Sequence, residues 1–398
     1  MTHWIDVTTT VTCPPPAVGI SRVESNLAEA LLHLGRDIRI CIYEAEAARF
    51  SELPREEFLR VVMLRKTPGA MNGPIELQVQ RHDRDADGGA EIFERGDVLV
   101  SCGLNWRAGL GDMARLYQFR KAMGLQLITM CYDLIAIELT HLVPGMEKVF
   151  APYMRGMVRH SDHVLCISRC TRRDLLRWID ASGQRTPETS VMPMGCELPA
   201  AGGSVGNRIA SILAQRFLLA VSTIESRKNH QTLCRAYARL VDWGVTDLPQ
   251  LVFVGAIGEG GQRLIDEIGA DRRIRDKVVV LSGVDDAELG SLYENCVFTL
   301  YPSLYEGWGL PVSESLACGK FCVASDQGAL REAGGEFAEY LDPWNVEQWA
   351  STIHRYLSIP GAVERRELEI RQSFRPTRWR DSAAHVLAIA QRLAQNKV

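Results

Sequence analysis

The stretch Tyr301–Asp326, YPSLYEGWGLPVSESLACGKFCVASD, links the end of one apolar strand to the start of the next through a glycine-rich turn and a short helix. Pro311 favours the first turn of a helix, because its ring fixes φ and its missing N–H is not needed there. The spacing predicts a helix over 312–318 that ends at Gly319. Backbone N–H groups and the helix dipole at such a turn form an anion-binding site.

Two carboxylates flank this turn, Glu306 before the helix and Glu314 within it. Their positions along the turn direct them to different parts of a ligand, whereas the carboxylates of glycosidases oppose each other at roughly 5 to 10 Å. One carboxylate suits the hydroxyls of a sugar, the other suits the hydroxyls of a ribose, and the anion site lies between them. The pattern therefore indicates a nucleotide-sugar as the ligand.

Composition places the chain among ordinary globular proteins of two to three domains, with 398 residues, 46% hydrophobic and 24% charged. The net charge of −4 argues against a general nucleic-acid binder. The eleven cysteines are scattered singly, as in proteins of a reducing compartment. The sequence has no apolar run long enough to span a membrane, and MTHWIDVTTT shows no signal-peptide pattern. Together these features predict a cytoplasmic location. Any membrane contact is expected to be peripheral, on the cytoplasmic face of the inner membrane.

Short apolar runs alternate with amphipathic stretches along both halves of the chain, which predicts an α/β protein with parallel sheets. A Gly- and Pro-rich segment near 181–207 separates the halves. We predict an acceptor-side Rossmann-like domain over 1–200, a nucleotide-sugar-binding Rossmann-like domain over 201–375, and a C-terminal helix over 376–398 that packs back toward the first domain. The candidate strands are Trp4–Val7, Arg39–Tyr43, Val98–Ser101, Leu125–Cys131, Val164–Ile167, Phe217–Ser222, Leu251–Val254, Val278–Leu281, Val297–Tyr301 and Phe321–Ala324.

The E-x7-E spacing within YEGWGLPVSESLACG resembles the signature of retaining GT-B glycosyltransferases of family 4. Further blocks, VSTIESRKNHQTL, LVFVGAIGEGG and ASDQGALREAGGEFAEYLDPWN, occur in the order that this family shows. In the first half, PPPAVGISRVESNLAEAL resembles the family's glycine loop. The resemblance covers nearly the whole chain and implies the GT-B fold, with two Rossmann-like domains whose parallel sheets face a central cleft.

The resemblance also implies roles for individual residues. Arg227 and Lys228 are expected to neutralise the diphosphate leaving group, and with Glu306, which holds the sugar hydroxyls, they are the predicted catalytic residues. Glu314 is expected to bind the ribose, and Gly19 to let the first domain approach the donor phosphates. The other predicted donor-binding residues are Gly307, Trp308, Gly309, Leu310, Ser282 and Val284.

Two departures from the family pattern affect the predicted site. Thr223 stands where many members carry Arg, and Tyr132-Asp133 stands where many carry a His-Asp pair. The predicted acceptor-side residues are Asn105, Trp106, Tyr132 and Asp133, although Trp106 equally suits a packed core. A predicted helix carries a basic face formed by Arg169, Arg172, Arg173 and Arg177. Two interpretations of this face are equally favoured. It is either a solvated surface, or it contacts anionic lipid or a lipid-diphosphate acceptor.

The resemblance implies a retaining transferase that moves a hexose from a nucleotide-diphosphate sugar to a glycan or lipid-linked acceptor. The expected pathway is bacterial surface polysaccharide or lipopolysaccharide synthesis, and the first candidate is mannose from GDP-mannose. No cofactor, no metal and no nucleic-acid partner are expected. Two alternatives remain open: a nucleotide-sugar epimerase or hydrolase of the same fold, and a non-catalytic sugar-nucleotide-binding subunit of a synthase complex.

Overall fold

The computed structural model describes residues 2–13, 19–35, 37–47, 49–66, 77–79, 92–106, 113–197 and 205–395. The chain forms two compact units, of which the first comprises Met1–Gly195 and Thr377–Val398 and the second comprises Cys196–Pro376. The sequence predicts these divisions at 200–201 and 375–376. Both units are α/β, which confirms the predicted class of two Rossmann-like domains.

The first unit is built on a seven-stranded sheet with the order β3-β2-β1-β4-β5-β6-β7. Its strands are β1 (His3–Asp6), β2 (Ile38–Glu44), β3 (Arg49–Leu53), β4 (Val98–Ser101), β5 (Gln126–Cys131), β6 (His163–Cys166) and β7 (Glu188–Val191). Its helices are α1 (Thr8–Thr12), α2 (Ile20–Leu34), α3 (Arg55–Lys66), α4 (Met113–Met123), α5 (Ile135–Glu138), α6 (Glu147–His160) and α7 (Arg169–Ala181), with α16 (Trp379–Gln395) returning from the chain end.

The second unit is built on a six-stranded parallel sheet with the order β10-β9-β8-β11-β12-β13. Its strands are β8 (Phe217–Val221), β9 (Gln250–Val254), β10 (Val278–Leu281), β11 (Thr299–Tyr301), β12 (Cys322–Ser325) and β13 (Ala338–Leu341). Its helices are α8 (Asn207–Leu213), α9 (His230–Asp242), α10 (Gly261–Ala270), α11 (Asp286–Asn295), α12 (Leu310–Ala317), α13 (Leu330–Gly334), α14 (Val346–Ser358) and α15 (Ala362–Ser373).

One strand pair of the first unit departs from the predicted parallel pairing, because β3 pairs antiparallel with β2. The two strands are joined by residues 45–48 alone, and a connection this short closes a hairpin because a parallel crossover needs a dozen or more residues. The sequence also misses β7 and β13. Each has four residues and few fully buried side chains, so its apolar pattern is too short to stand out.

The C-terminal helix α16 packs within the first unit through polar and aromatic contacts. The Ser382 hydroxyl donates to the Pro193 carbonyl at 2.6 Å and accepts the Gly195 N–H at 3.1 Å. A Cβ on Gly195 would come within 2.4 Å of Cδ2 of Trp379, so glycine lets the indole lie directly on the backbone there. In the part of the chain that the structure describes, no helix is long and apolar enough to cross a membrane.

Candidate active site

The helix α12 begins at Leu310 rather than at the predicted Val312, directly after the glycine-rich turn. Gly309 precedes it with φ of 113°, a conformation that favours glycine. A Cβ on Gly309 would also come within 2.4 Å of Cδ2 of Leu330. Leu310 and Pro311 therefore start the helix, directly after the turn that carries Glu306.

The Glu306 carboxylate is the centre of a buried polar cluster, with only 8% of the residue exposed. Its Oε1 accepts hydrogen bonds from Lys228 Nζ at 2.5 Å, the Ser303 hydroxyl at 2.6 Å and the Tyr301 hydroxyl at 3.0 Å. Its Oε2 lies 3.1 Å from Arg227 Nη1. The three predicted catalytic residues thus lie in direct contact.

Arg227 and Lys228 lie in a short 3-10 helix, Ser226–Lys228, that follows β8. Because β8 neighbours β11 in a parallel sheet, this helix and the segment after β11 meet at the same edge of the sheet. Asn229 fixes the junction from a left-handed conformation, φ 57°, and donates from Nδ2 to the carbonyls of Pro302 and Pro343 at 3.1 and 2.9 Å.

The cluster has matched charges. Burial acts to raise the pKa of the Glu306 carboxyl, but Lys228 and Arg227 outweigh burial and lower that pKa to about 2. Burial lowers the pKa of Lys228, and the Glu306 carboxylate opposes this effect. Glu225 adds a second carboxylate, at 3.0 Å from Arg227 Nη2. Two cations therefore stand beside two carboxylates, and Glu306 is ionised at neutral pH.

Glu314 lies in a different environment from Glu306. It is on α12, is 4% exposed, and accepts a hydrogen bond at Oε2 from the Tyr293 hydroxyl at 3.1 Å. The structure therefore separates the two carboxylates of the motif, one among cations and one beside a buried tyrosine on α11. Such a separation is required if each carboxylate binds a different part of one ligand.

The other donor-side residues predicted from sequence are placed as follows. Trp308 packs against the apolar cluster around Tyr301 and Val312, and its Nε1 has no hydrogen-bond partner among the described residues. Ser282 follows β10 and donates to the Gly255 carbonyl at 2.8 Å, while Val284 is packed in the core. Gly19 precedes α2 with φ of 51°, and residues 14–18 of the predicted glycine loop lie outside the described part of the chain.

The acceptor-side candidates divide into two groups. Asn105 and Tyr132 both bind the end of β4: Asn105 Nδ2 donates to the Ser101 hydroxyl at 2.8 Å, and the Tyr132 hydroxyl donates to the Cys102 carbonyl at 2.5 Å. Asp133 Oδ1 accepts the Ile135 N–H at 3.0 Å. Trp106 is partly buried and packs against the core, its ring centroid 5.1 Å from that of Phe150 and 5.3 Å from that of Tyr153.

Sequence reasoning missed several residues that shape the site. Ser303 and Tyr301 donate hydrogen bonds to Glu306, and both lie within Tyr301–Asp326. Their hydroxyl groups come shortly before the motif carboxylate in the chain, and this was the sequence signal that could have identified them. Gly328 has φ of 61°, and a Cβ there would lie 2.2 Å from the Glu306 carbonyl oxygen. That close approach allows the Ala329 N–H to bind the same carbonyl at 2.9 Å.

A second buried polar cluster, also not predicted, lies at the carboxyl ends of β1 and β4. The Ser101 hydroxyl donates to Asp6 Oδ2 at 2.8 Å, and the Thr10 hydroxyl donates to Glu24 Oε2 at 2.6 Å. Burial raises the pKa of both carboxyls, that of Glu24 to about 8 with a further contribution from Asp6. A Cβ on Gly103 would lie 2.3 Å from Glu24 Oε1, so glycine makes room for this carboxyl.

The basic face of α7 carries its own counter-ion. Asp174 Oδ1 lies 2.9 Å from Arg173 Nη2 and 2.6 Å from Arg177 Nη2. Arg172 donates from Nε to the Thr189 hydroxyl at 2.9 Å. Both guanidinium groups paired with Asp174 remain more than half exposed, at 63% and 62%.

Acidic and thiol groups in the described residues form no cluster of three or more His, Cys, Asp or Glu that would hold a metal ion. Asp285, which follows the predicted donor-binding residue Val284, caps α11 by accepting the N–H groups of Ala287 and Glu288, both at 2.9 Å. That carboxylate serves a helix terminus.

Comparison with known proteins finds a family that is similar to the second unit. Residues 208–373 match the family of glycosyl transferases group 1. The resemblance predicted from the E-x7-E motif is confirmed. Both predicted catalytic cations, Glu306 and Glu314 lie within the matched region.

Curated relatives are mannosyltransferases and other glycosyltransferases. The MMP alpha-(1->4)-mannosyltransferase of Mycolicibacterium hassiacum is 29% identical over 61% of this chain and 57% of its own length. The serotype-specific mannosyltransferase WbdA of Escherichia coli is 24% identical over 58% of this chain and 29% of its own length. The chain therefore spans less than two thirds of the length of these relatives.

Solved structures show the same architecture over the whole chain. Sucrose-phosphate synthase from Thermosynechococcus elongatus aligns with a TM-score of 0.68 and 18% identity over 98% of each chain. Anabaena Alr3699/HepE in complex with UDP-glucose aligns with a TM-score of 0.62 and 13% identity, over 100% of this chain and 99% of that chain. These likenesses confirm the predicted GT-B fold.

Proposed function

We propose that this protein is a retaining glycosyltransferase that moves a hexose from a nucleotide-diphosphate sugar to a glycan or lipid-linked acceptor. The observation that carries the proposal is the direct contact of Glu306 with both Lys228 and Arg227, beside the first turn of α12. The names of the relatives support mannose as the sugar, with GDP-mannose as the first candidate donor, and surface polysaccharide synthesis as the pathway.

The leaving group of this reaction is a nucleoside diphosphate, which develops negative charge as the sugar–oxygen bond breaks. Arg227, Lys228 and the N-terminus of α12 supply positive charge where that oxygen leaves, and donors fixed in advance stabilise a transition state most effectively. Their immobility follows from the contacts with Glu306 and from the Asn229 junction. Arg227 and Lys228 are therefore electrostatic catalysts of bond breaking.

Retention is proposed to follow a front-face substitution. The acceptor hydroxyl attacks from the side on which the diphosphate leaves, the bond between the anomeric carbon and the phosphate oxygen breaks, and that oxygen takes the hydroxyl proton. Glu306 is not suited to accept this proton, since its pKa of about 2 makes it a weak base. It is suited to accept hydrogen bonds from the hydroxyls of the transferred sugar.

Two further parts of the proposal concern the surroundings of the reaction. No divalent metal takes part in this proposal, because Arg227, Lys228 and the helix terminus provide the donors that bind the diphosphate. The acceptor is lipid-linked at the cytoplasmic face of the inner membrane, and the exposed guanidinium groups on α7 support contact with an anionic surface there.

A donor screen tests the proposal. Each common nucleotide-sugar is added to the protein and the thermal unfolding midpoint is measured; the true donor should raise the midpoint. The anomeric configuration of the product is then read by NMR after transfer to a glycan acceptor. If every nucleotide-sugar leaves the midpoint unchanged, the proposal fails. Donor turnover without any acceptor would instead support an epimerase or hydrolase, and binding without turnover would support a non-catalytic subunit.

A further inference from the structure

A pocket of about 940 Å³ lies in the first unit, and none of its lining residues is assigned above to donor or acceptor. It is bounded by α4, α6 and the segment between α7 and β7. His160 ends α6 just before β6, and Arg185 precedes β7, so the pocket lies toward the amino ends of these strands. Tyr132 and Asp133 follow the carboxyl end of β5, at the opposite edge of the same sheet. The pocket therefore lies away from Tyr132 and Asp133, although its lining residue Tyr153 packs against Trp106.

One wall of the pocket is a flat pair of rings. Tyr117 stacks on His160 with 4.0 Å between ring centroids and 22° between ring planes. Gly156 permits this arrangement, because a Cβ there would come within 2.8 Å of Cε2 of Tyr117. Burial lowers the pKa of His160, and Arg159 lowers it further, which favours the neutral imidazole. A neutral stacked pair suits the carbon part of a ligand.

Three arginines line the same pocket, Arg155, Arg159 and Arg185. Within the described part of the chain none of them forms an ion pair with a carboxylate, although other arginines of this unit do, such as Arg120 with Asp162 at 2.6 Å. Arg155 and Arg159 are one helical turn apart on α6, a spacing at which like charges repel. Arg185 adds a third positive charge from another segment. The pocket therefore combines a flat wall with three guanidinium groups that have no described counter-ion.

We propose that this pocket binds an organic phosphate. The phosphate group contacts Arg155, Arg159 and Arg185, whose planar guanidinium groups match phosphate oxygens in pairs, and the carbon part lies on the Tyr117–His160 wall. The volume is in the range of small-molecule sites, about 300–1,000 Å³. A soluble phosphate ester and the phosphate headgroup of a lipid share this chemistry. The proposal does not depend on the proposed glycosyl transfer.

Site-resolved protection of arginine side chains tests this proposal on the unaltered protein. The chain is treated with phenylglyoxal, and the rate of modification of each arginine is followed by peptide mass spectrometry. Inorganic pyrophosphate at about ten times its dissociation constant should slow modification of the three pocket arginines about tenfold. Arg172 and Arg173, which are outside the pocket, should react at an unchanged rate. Arg227 reports the donor site separately, so binding there is not mistaken for binding in the pocket.

A second arm distinguishes the two sources of phosphate. Vesicles of phosphatidylcholine containing phosphatidic acid are compared with vesicles of phosphatidylcholine alone. Protection of the pocket arginines by pyrophosphate supports a soluble ester, and protection by phosphatidic acid vesicles but not by pyrophosphate supports a lipid headgroup. If neither probe protects them, or if Arg172 and Arg173 are protected equally by pyrophosphate, the proposal is overturned.

Discussion

Lys228 Nζ lies 2.5 Å from Glu306 Oε1, although the two residues are 78 positions apart in the chain. Lys228 follows β8 and Glu306 follows β11, and these strands are neighbours in the sheet. The contact therefore holds a predicted leaving-group cation and a predicted sugar-binding carboxylate in one rigid unit. Both residues are almost buried, so their charges act through a medium less polar than water.

Replacing Lys228 with Ala should lower the rate of transfer about 100- to 1,000-fold, the usual effect of removing one fixed transition-state donor. Lys320→Ala is a matched control in the same unit, because Lys320 pairs with Glu367 at 3.1 Å and has a similar exposure, 14% against 13%. Both variants should lose stability in urea denaturation, but the control should keep its transfer rate. Near-normal transfer by Lys228→Ala would contradict the catalytic role. Arg227→Ala should behave like Lys228→Ala, and the double variant should be less than additive.

Glu306→Ala and Glu314→Ala should fail in different ways. Loss of Glu306 should spare binding of the free nucleoside diphosphate, because the two cations remain, and should reduce transfer. Loss of Glu314 should weaken binding of the free nucleoside diphosphate, whose ribose is its proposed partner. Isothermal titration of the nucleoside diphosphate distinguishes the two variants. Equal weakening in both would show that the proposed division of roles is wrong.

Transfer should proceed in the absence of a divalent metal. In the proposed mechanism the diphosphate is bound by Arg227, Lys228 and the N-terminus of α12, and contacts with Glu306 hold both cations in place. The rate with a chelator should equal the rate with added magnesium or manganese. A chelator that stops the reaction, with recovery on adding either metal, would be the contrary result.

The basic face of α7 should contribute to membrane contact by about 1 kcal/mol for each basic residue near an anionic surface. Substituting Arg172, Arg173 and Arg177 by Gln should reduce sedimentation with anionic vesicles and transfer to a lipid-linked acceptor. Donor binding should not change. Asp174 already pairs with Arg173 and Arg177, so the effect is expected to be smaller than that of three free cations. If the triple variant sediments with vesicles and transfers sugar like the parent protein, the basic face is only a solvated helix surface.

Stability should fall as pH rises from 4.5 toward 8 because of Glu24. Its folded pKa is raised to about 8 from 4.5, so the folded state keeps a proton that the unfolded state has lost. The free energy of unfolding then decreases with rising pH, by at most about 1.4 kcal/mol per pH unit from this one group. Glu24→Gln should flatten this dependence in urea denaturation across that range. Glu29→Gln, on the same helix, should leave the slope as it is, and an equal slope for Glu24→Gln and the parent would contradict the prediction.

Much of the fold could be predicted from the hydrophobic periodicity and from the positions of Gly and Pro. Each of the ten candidate strands overlaps an observed strand, because parallel strands are buried on both faces and form short apolar runs. The start of α12 was missed by two residues, since Gly309 rather than Pro311 sets where the chain turns. β3, β7 and β13 were missed, because their pairing depends on neighbouring strands more than on their own composition.

The sequence by itself determined the α/β class, the two Rossmann-like domains and the chemical types in the donor motif, because these follow from local patterns. Only the tertiary structure decided that Glu306 binds Lys228, Arg227, Ser303 and Tyr301 together, and that Trp106 packs against Phe150. The same holds for the Asp6–Glu24 cluster and for the three arginines around the Tyr117–His160 stack. The physical reason is that sheet order, not chain order, sets which strand ends meet. Contacts between residues far apart in the chain depend on that order, which the local patterns of one sequence do not reveal.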